Sequence, residues 1–198
     1  MTDMEQKMAA EMLRLEDGRV TGPASLRVAR LPKADRGGKW EICGICDGIE
    51  PEVFNTINDL LDAGEREGAW KACLQYVCEN TGAVAQWLAG FELPGVEFYL
   101  RDHAFNAGSR SAAKVLQRAL NALGHTLADD GIVGPATRAA FETVWRSFAD
   151  EAGLLTRLHD QRLAFYRSCR QFSTFGKGWL ARAAAARDFA RKLMEEEA

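Results

Sequence analysis

Carboxylates beside glycine-rich turns are the residues of this chain whose types and spacing best suit catalysis. Glu16 stands where a predicted helix gives way to predicted strands, and Asp35 and Glu41 flank the pair Gly37-Gly38. Glycosidic cleavage needs one carboxylic acid to protonate the leaving oxygen and a second carboxylate to activate water or stabilise positive charge. Adjacent glycines let a sugar ring approach the backbone. The pattern is compatible with a glycosidase, although a glutamate at a helix end is more often simply solvated.

Other reactive side chains form weaker patterns. The three histidines are far apart, and neither a nucleophile elbow nor a phosphate-binding glycine loop occurs. Cys43 and Cys46 form a C-x2-C half-site, and Cys73 with Cys78 would complete a set of four zinc thiolates. The apolar neighbours of the second pair favour buried free thiols instead, as does the odd total of five cysteines. We therefore expect neither a metal nor a cofactor.

Composition and charge narrow the class of partner. The chain has 198 residues, 47% hydrophobic and 27% charged, as in a soluble globular protein of one or two domains. Its net charge of −3 conceals 10 basic and 17 acidic residues in 1–100 against 15 and 11 in 101–198. The basic excess is densest in residues 154–192, which favours a polyanionic partner such as nucleic acid, a membrane surface or a bacterial wall.

Most of the elements that must position these residues are predicted to be helices. A capping box at Thr2 and Glu5 starts the first helix, and alternation around a turn-rich segment predicts a hairpin lobe at about residues 22–47. Proline at the first helical position predicts three later helix starts, and a Gly-Lys-Gly turn at 176–178 is expected to separate two basic C-terminal helices. The predicted fold class is mainly α with a small β lobe, and the predicted helix starts are Pro51, Pro94 and Pro135.

Residues 98–120 carry a resemblance to a known family. The strings FYLRDHAFNAG and AAKVLQRAL resemble the F-D-x-A-V-N-x-G…A…L-Q-R-A core of glycoside hydrolase family 108, which consists of lysozyme-like N-acetylmuramidases of phage endolysins and secretion-associated muralytic proteins. DGIVGPAT at 130–137 is similar to the D-G-x-x-G-x-x-T turn of that family's peptidoglycan-binding region. Phe165-Tyr166 and GWLAR at 178–182 are similar to its closing segment.

The resemblance implies a lysozyme-like helical catalytic domain at 1–124 and a helical peptidoglycan-binding region at 125–198. It also implies that Glu16 is the general acid, because LEDGR at 15–19 occupies the place of the family's E-G-G-Y motif. The match is imperfect there, since Asp17 replaces a glycine and Arg19 an aromatic residue. The corresponding family segment D-P-G-G-x-T-x-x-G-I is DRGGKWEICGI here, so either Asp35 or Glu41 is the expected second carboxylate.

The same resemblance implies a cleft that binds peptidoglycan glycan strands. Trp40 is expected to stack on a sugar face, unless it belongs to the core. Polar side chains are expected on the cleft floor, as hydrogen-bonding partners of the sugar or as supports behind such partners, and Asn106 has the alternative of an ordinary helix end. The expected substrate-binding residues are Gly37, Gly38, Trp40, Asp102, Asn106 and Gln117.

The implied activity is hydrolysis of the β-1,4 bond between N-acetylmuramic acid and N-acetylglucosamine. A catalytically inactive peptidoglycan-binding protein on the same scaffold is the alternative. With no secretory signal and no apolar run long enough to span a membrane, we expect a protein made in the cytoplasm. We also expect it to be a monomer. It would reach the wall through a holin or secretion machinery, without stable membrane insertion and without nucleic acid as a partner.

Overall fold

A computed structural model describes residues 1–32, 37–148 and 150–196, which fall into two compact units. The first unit is Met1–Asn80 and the second is Thr81–Ala198. The domain boundary predicted after residue 124 lies inside the second unit. Within the described residues, no helix is both long and apolar enough to cross a membrane.

Three α-helices and a small sheet make up the first unit. The capping box that starts the first helix is confirmed: the Glu5 N–H donates to Thr2 Oγ1 at 3.1 Å, and the Thr2 N–H donates to Glu5 Oε2 at 2.7 Å. The third helix packs against the other two and against a short 3₁₀ turn, Pro23–Ser25. The α-helices are α1 (Asp3–Glu16), α2 (Pro51–Asp62) and α3 (Arg66–Asn80).

The sheet has three antiparallel strands in chain order, β1 (Ala29–Arg30), β2 (Trp40–Ile42) and β3 (Ile45–Cys46). Glu41 pairs with Ala29 on one side and with Cys46 on the other. The sequence predicts two strands, so β3 is a correction. It is two residues long and follows a two-residue turn, which is too short a segment for alternation to reveal.

The second unit is helical in its described residues, and its helices are α4 (Gly82–Trp87), α5 (Pro94–Ala107), α6 (Ser109–Ala122), α7 (Pro135–Phe148), α8 (Glu151–Ser168) and α9 (Phe172–Glu196). The helix α5 lies at the centre of the unit. Its α5 packs against α6, α8 and α9, and almost every residue from Pro94 to Ala104 is buried. Pro94 and Pro135 each occupy the first turn of a helix, as Pro51 does in the first unit, so the three predicted helix starts are confirmed.

One expectation about the C-terminal helices is wrong. The predicted break at residues 176–178 is helical, and the break lies instead between Ser168 and Phe172. Gly176 is buried under the Phe172 ring, where an added Cβ would come within 2.6 Å of two ring carbons. Gly176 is therefore needed for side-chain packing within the helix rather than for a turn. The predicted fold class, mainly α and lysozyme-like with a small β lobe, is confirmed.

Candidate functional site

Glu16 is the last residue of α1, and its side chain is exposed. Met8, Met12 and Leu13 are buried on the core face of the helix, which fixes the position of its C-terminal end. After Glu16 the chain leaves the helix, because Asp17 is extended, with φ −125° and ψ 101°. The packed helix thus carries the expected general acid to its end, where solvent reaches the carboxylate.

The turn between β2 and β3 packs directly against Glu16. Cys43 and Gly44 have φ values of 50° and 82°, the pair of positive values that a tight type I′ turn requires. A Cβ added at Gly44 would lie 2.9 Å from Glu16 Cγ and 3.3 Å from its Oε1. Because carbon atoms pack at about 3.5–4.0 Å, only a glycine leaves room for the Glu16 side chain in this position.

Asp17 explains one departure from the family motif. Its Oδ1 accepts the Arg19 N–H at 3.1 Å, and its Oδ2 accepts a bond from the Arg27 guanidinium at 2.5 Å. Burial acts to raise the pKa of Asp17, but the bonds from Arg19 and Arg27 outweigh it and hold the pKa below its usual value. Asp17 therefore ties the residue after α1 to the approach of β1, a link that glycine would not form.

Asp47, a residue outside the motifs described above, organises the glycine pair and Trp40. Asp47 Oδ1 accepts the backbone N–H groups of Lys39 at 2.7 Å and Trp40 at 3.1 Å, and the bond from Trp40 is the main reason that the pKa of Asp47 is lowered. Gly38, with φ 125°, comes so close to Asp47 that a Cβ would overlap the carboxylate. The Asp-Gly dipeptide at 47–48 is the sequence signal that marks this turn.

Among the expected binding residues of the first unit, Trp40 is 44% exposed, so it is not a core residue. Gly37 is buried and accepts the Gly48 N–H at 2.9 Å through its carbonyl. Glu41 is half-buried on the central strand, next to Trp40. Asp35 lies outside the described residues. The first unit thus presents an exposed indole and the carboxylate of Glu16, with Glu41 less accessible.

The cysteines of this unit behave as core thiols. Burial raises the pKa of Cys43 above its ordinary range and raises the pKa of Cys73 to about 12, so both stay protonated near neutrality. All five cysteines are free thiols. Among the described residues no group of three or more His, Cys, Asp and Glu side chains is arranged to hold a metal ion.

In the second unit, Asp102 is completely buried between two arginines. Its Oδ2 accepts a bond from Arg162 at 2.6 Å and its Oδ1 one from Arg182 at 2.8 Å. Burial acts to raise the pKa of Asp102, but the two guanidinium groups outweigh it and lower the pKa. With no exposed surface, Asp102 cannot meet a sugar in this conformation. Of its two expected roles, the geometry matches that of a support.

Asn106 joins this buried network at its edge. Arg162 Nε donates to Tyr166 Oη at 3.0 Å, and the Tyr166 hydroxyl donates to Asn106 Oδ1 at 2.8 Å. Asn106 is itself half-buried. Its amide can therefore reach a ligand while the buried charges behind it fix its orientation. Tyr166 and Arg182 lie in segments that the family resemblance marks, but their partners are 60 and 80 residues away, so no local pattern reveals them.

The side-chain amide of Gln117 forms its hydrogen bonds with the turn that follows α6. Its Nε2 donates to Asp130 Oδ1 at 2.8 Å and to the Ile132 carbonyl at 3.0 Å, while its Oε1 accepts the Gly131 N–H at 3.0 Å. Only 2% of the residue is exposed. Its hydrogen-bonding groups hold the Asp-Gly turn onto α6 and are not offered to a substrate, so we assign it a supporting role.

Comparison with known proteins connects the second unit to the bacterial wall. Residues 111–184 match a family model described as "Predicted Peptidoglycan domain". The matched segment contains Gln117, the turn that it holds, Tyr166 and Arg182. The protein is therefore peptidoglycan-related, and this match does not single out glycoside hydrolase family 108. No curated protein matches the chain.

The fold itself has a solved counterpart. SagA from Brucella abortus has a similar structure, with a TM-score of 0.61, 24% sequence identity and 94% of each chain covered. At this level of identity the similarity establishes a shared fold along nearly the full length of both chains.

Proposed function

We propose that this protein is a peptidoglycan hydrolase, an N-acetylmuramidase that cleaves the β-1,4 bond between N-acetylmuramic acid and N-acetylglucosamine. The observation that carries the proposal is the placement of Glu16. The carboxylate stands at the exposed end of a packed helix and is held by a turn where only glycine fits. Residues 111–184, which match a peptidoglycan domain, support the choice of polymer.

In this proposal Glu16 protonates the glycosidic oxygen. A sugar that covers Glu16 would exclude water from the carboxyl group, which is the environment in which a carboxylic acid can donate its proton near neutral pH. Glu41 or Asp35 would then stabilise the positive centre or activate water. A separation of about 5 Å between the two carboxyl groups would imply a retaining route, and about 6.5–9.5 Å an inverting one.

The proposed activity acts on a polymer outside the cytoplasm. We propose that the chain is made in the cytoplasm and released to the wall through a holin or secretion machinery. Fractionation of producing cells before and after membrane permeabilisation tests this, because wall-associated protein should accumulate only afterwards.

Substitution of Glu16 tests the enzymatic assignment. Glu16→Gln keeps the size of the side chain and removes its proton-donating acidity, so release of reducing ends from purified peptidoglycan should fall at least about 100-fold. Glu67→Gln is the matched control, because Glu67 is an exposed glutamate of the same unit, in the first turn of α3. The assignment is wrong if both variants clear peptidoglycan at the wild-type rate.

A second function has an observation in its favour. Glu16 is exposed rather than enclosed by apolar side chains, and Asp17 and Arg19 replace two residues of the family's catalytic motif. A binding protein without hydrolytic activity would show both features. Such a protein would sediment with wall sacculi and release no reducing ends, whereas the enzyme would do both.

A further inference from the structure

One face of α9 exposes two aromatic rings that lie side by side. Phe175 and Trp179 are four residues apart and Gly178 lies between them, so helical geometry puts all three on one side. The Phe175 side chain is 47% exposed, Trp179 is half-buried, and their ring centroids are 5.9 Å apart. We call Phe175, Gly178, Trp179 and the nearby Asn106 the aromatic face.

The aromatic face has a rigid foundation. The Tyr166 ring stacks on Trp179, with a centroid separation of 5.5 Å and an interplanar angle of 29°. The Tyr166 hydroxyl in turn donates to Asn106 Oδ1 at 2.8 Å. Tyr166 thus connects the indole to the Asn106 amide and restrains both. Among the described residues none accepts a hydrogen bond from the Asn106 NH2, which leaves these donors for a ligand.

Gly178 is unusual because the fold gives no reason for it. A glycine inside a helix destabilises it relative to alanine. A Cβ added at Gly178 would meet no atom within 4 Å, whereas one at Gly176, two residues earlier, would overlap the Phe172 ring. Packing therefore explains Gly176 but not Gly178. What Gly178 does provide is bare helix backbone beside the two aromatic rings, where a flat ligand can lie close.

The charge around the aromatic face selects an anionic partner. No aspartate or glutamate occurs between Asp160 and Asp188 in the sequence. Arg167, in the last turn of α8, and Arg170, in the connection between α8 and α9, are exposed. A ligand that suits this surface has flat apolar faces, amide or hydroxyl acceptors for Asn106, and carboxylates nearby.

We propose that the aromatic face binds an amino-sugar of the peptidoglycan glycan strand. The sugar ring would stack on the exposed faces of Phe175 and Trp179, beside the bare backbone of Gly178. Its N-acetyl carbonyl would accept a bond from Asn106, and the stem-peptide carboxylates would lie near the exposed cations. This inference rests on the proposed function only in taking peptidoglycan as the ligand. It assigns binding to a surface that includes none of the proposed catalytic residues.

The substitution Gly178→Ala tests the aromatic face without endangering the fold. Sedimentation with purified sacculi is measured in the Glu16→Gln background, so that hydrolysis does not erode the polymer. The added methyl group would cover the bare backbone and hold the sugar away from the rings, so we expect binding to weaken about 3- to 10-fold, the effect of losing an aromatic contact. The melting temperature should rise by about 2–4 °C, because alanine favours the helix. Gly82→Ala is the matched control, since its Cβ also meets nothing and Gly82 begins helix α4 of the same unit.

A second pair of variants removes a ring instead of adding a methyl group. Phe175→Ala should weaken binding by a similar factor and Phe175→Tyr should restore it. Gln86→Ala, which removes an exposed side chain of α4 in the same unit but outside residues 111–184, should have no effect.

The outcomes separate this inference from the proposed function. If the Glu16→Gln protein, which carries no further substitution, does not sediment with sacculi, peptidoglycan is the wrong ligand, and both this inference and the proposed function fail. If it sediments and Gly178→Ala and Phe175→Ala sediment equally well, the aromatic face is not the binding surface, while the catalytic proposal stands. Salt-sensitive retention on DNA that these two variants abolish would replace the glycan with a nucleic acid and would overturn the inference.

Discussion

The contact between Gly44 and Glu16 makes a quantitative prediction about activity. Gly44→Ala adds a methyl group whose carbon would lie 2.9 Å from Glu16 Cγ and 3.1 Å from its carboxyl carbon. Since such atoms pack at about 3.5–4.0 Å, the carboxylate must move by roughly 0.5–1 Å. A displacement of about 1 Å can lower a catalytic rate about 100-fold. We therefore expect kcat/KM on peptidoglycan to fall about 10- to 100-fold.

Alanine at Gly44 also costs backbone energy, and a matched glycine isolates this effect. Gly64 has φ 78°, close to the 82° of Gly44, and a Cβ at Gly64 would meet nothing within 4 Å. The left-handed conformation costs alanine about 1–2 kcal/mol at either position. Gly64→Ala should therefore show a similar loss of stability in urea unfolding while keeping wild-type activity.

The assay pairs urea unfolding with the rate of reducing-end release from purified peptidoglycan. The reasoning is refuted if Gly44→Ala and Gly64→Ala have equal activity at equal stability, because the turn would then have no influence on Glu16. It is also refuted if Gly64→Ala loses as much activity as Gly44→Ala.

Three further predictions concern the buried groups. Asp102→Asn leaves the guanidinium of Arg162 buried beside a neutral side chain, so the free energy of unfolding measured in urea titrations should fall by about 3–5 kcal/mol. A decrease of less than about 1 kcal/mol would contradict the assignment of Asp102 as a support. Because the pKa of Asp102 is lowered in the folded state, its contribution to the free energy of unfolding is complete above the unfolded pKa of about 3.9 and is lost as the pH falls through the folded pKa. The free energy of unfolding, measured from pH 5 to pH 2, should therefore decline less steeply in Asp102→Asn than in wild type. Cys43 and Cys73 are buried and have raised pKa values. At pH 8 they should react with a disulfide reagent at least about 100-fold more slowly in the native protein than in urea. Rapid labelling of either residue in the native protein would contradict their burial.

Local signals predict most of the helices, because they act within a few residues. Pro51, Pro94 and Pro135 mark helix starts through their fixed φ and missing N–H, and the capping box marks α1. The same signals fail where packing overrides them. Gly176 indicates a turn by composition, yet it lies within α9 because it makes room for the Phe172 ring.

The candidate site is only partly predictable from the sequence. Glu16, Trp40 and Asn106 are identified by residue type and by a family resemblance, and their exposure is compatible with the expected roles. The supporting roles of Asp102 and Gln117 depend on partners elsewhere in the chain. The buried carboxylate of Asp102 is paired with Arg162 and Arg182, which come from two other helices. No pattern of spacing in the sequence specifies that these three side chains come into contact.

The central claim is that the chain cleaves a particular bond in peptidoglycan, and mass spectrometry of the released fragments tests it most directly. Wild-type protein acting on defined peptidoglycan should release fragments with reducing N-acetylmuramic acid ends, and Glu16→Gln should release none. Reducing N-acetylglucosamine ends would assign a glucosaminidase instead. Sedimentation with the polymer but no fragments from the wild-type protein would contradict catalysis and leave a peptidoglycan-binding protein.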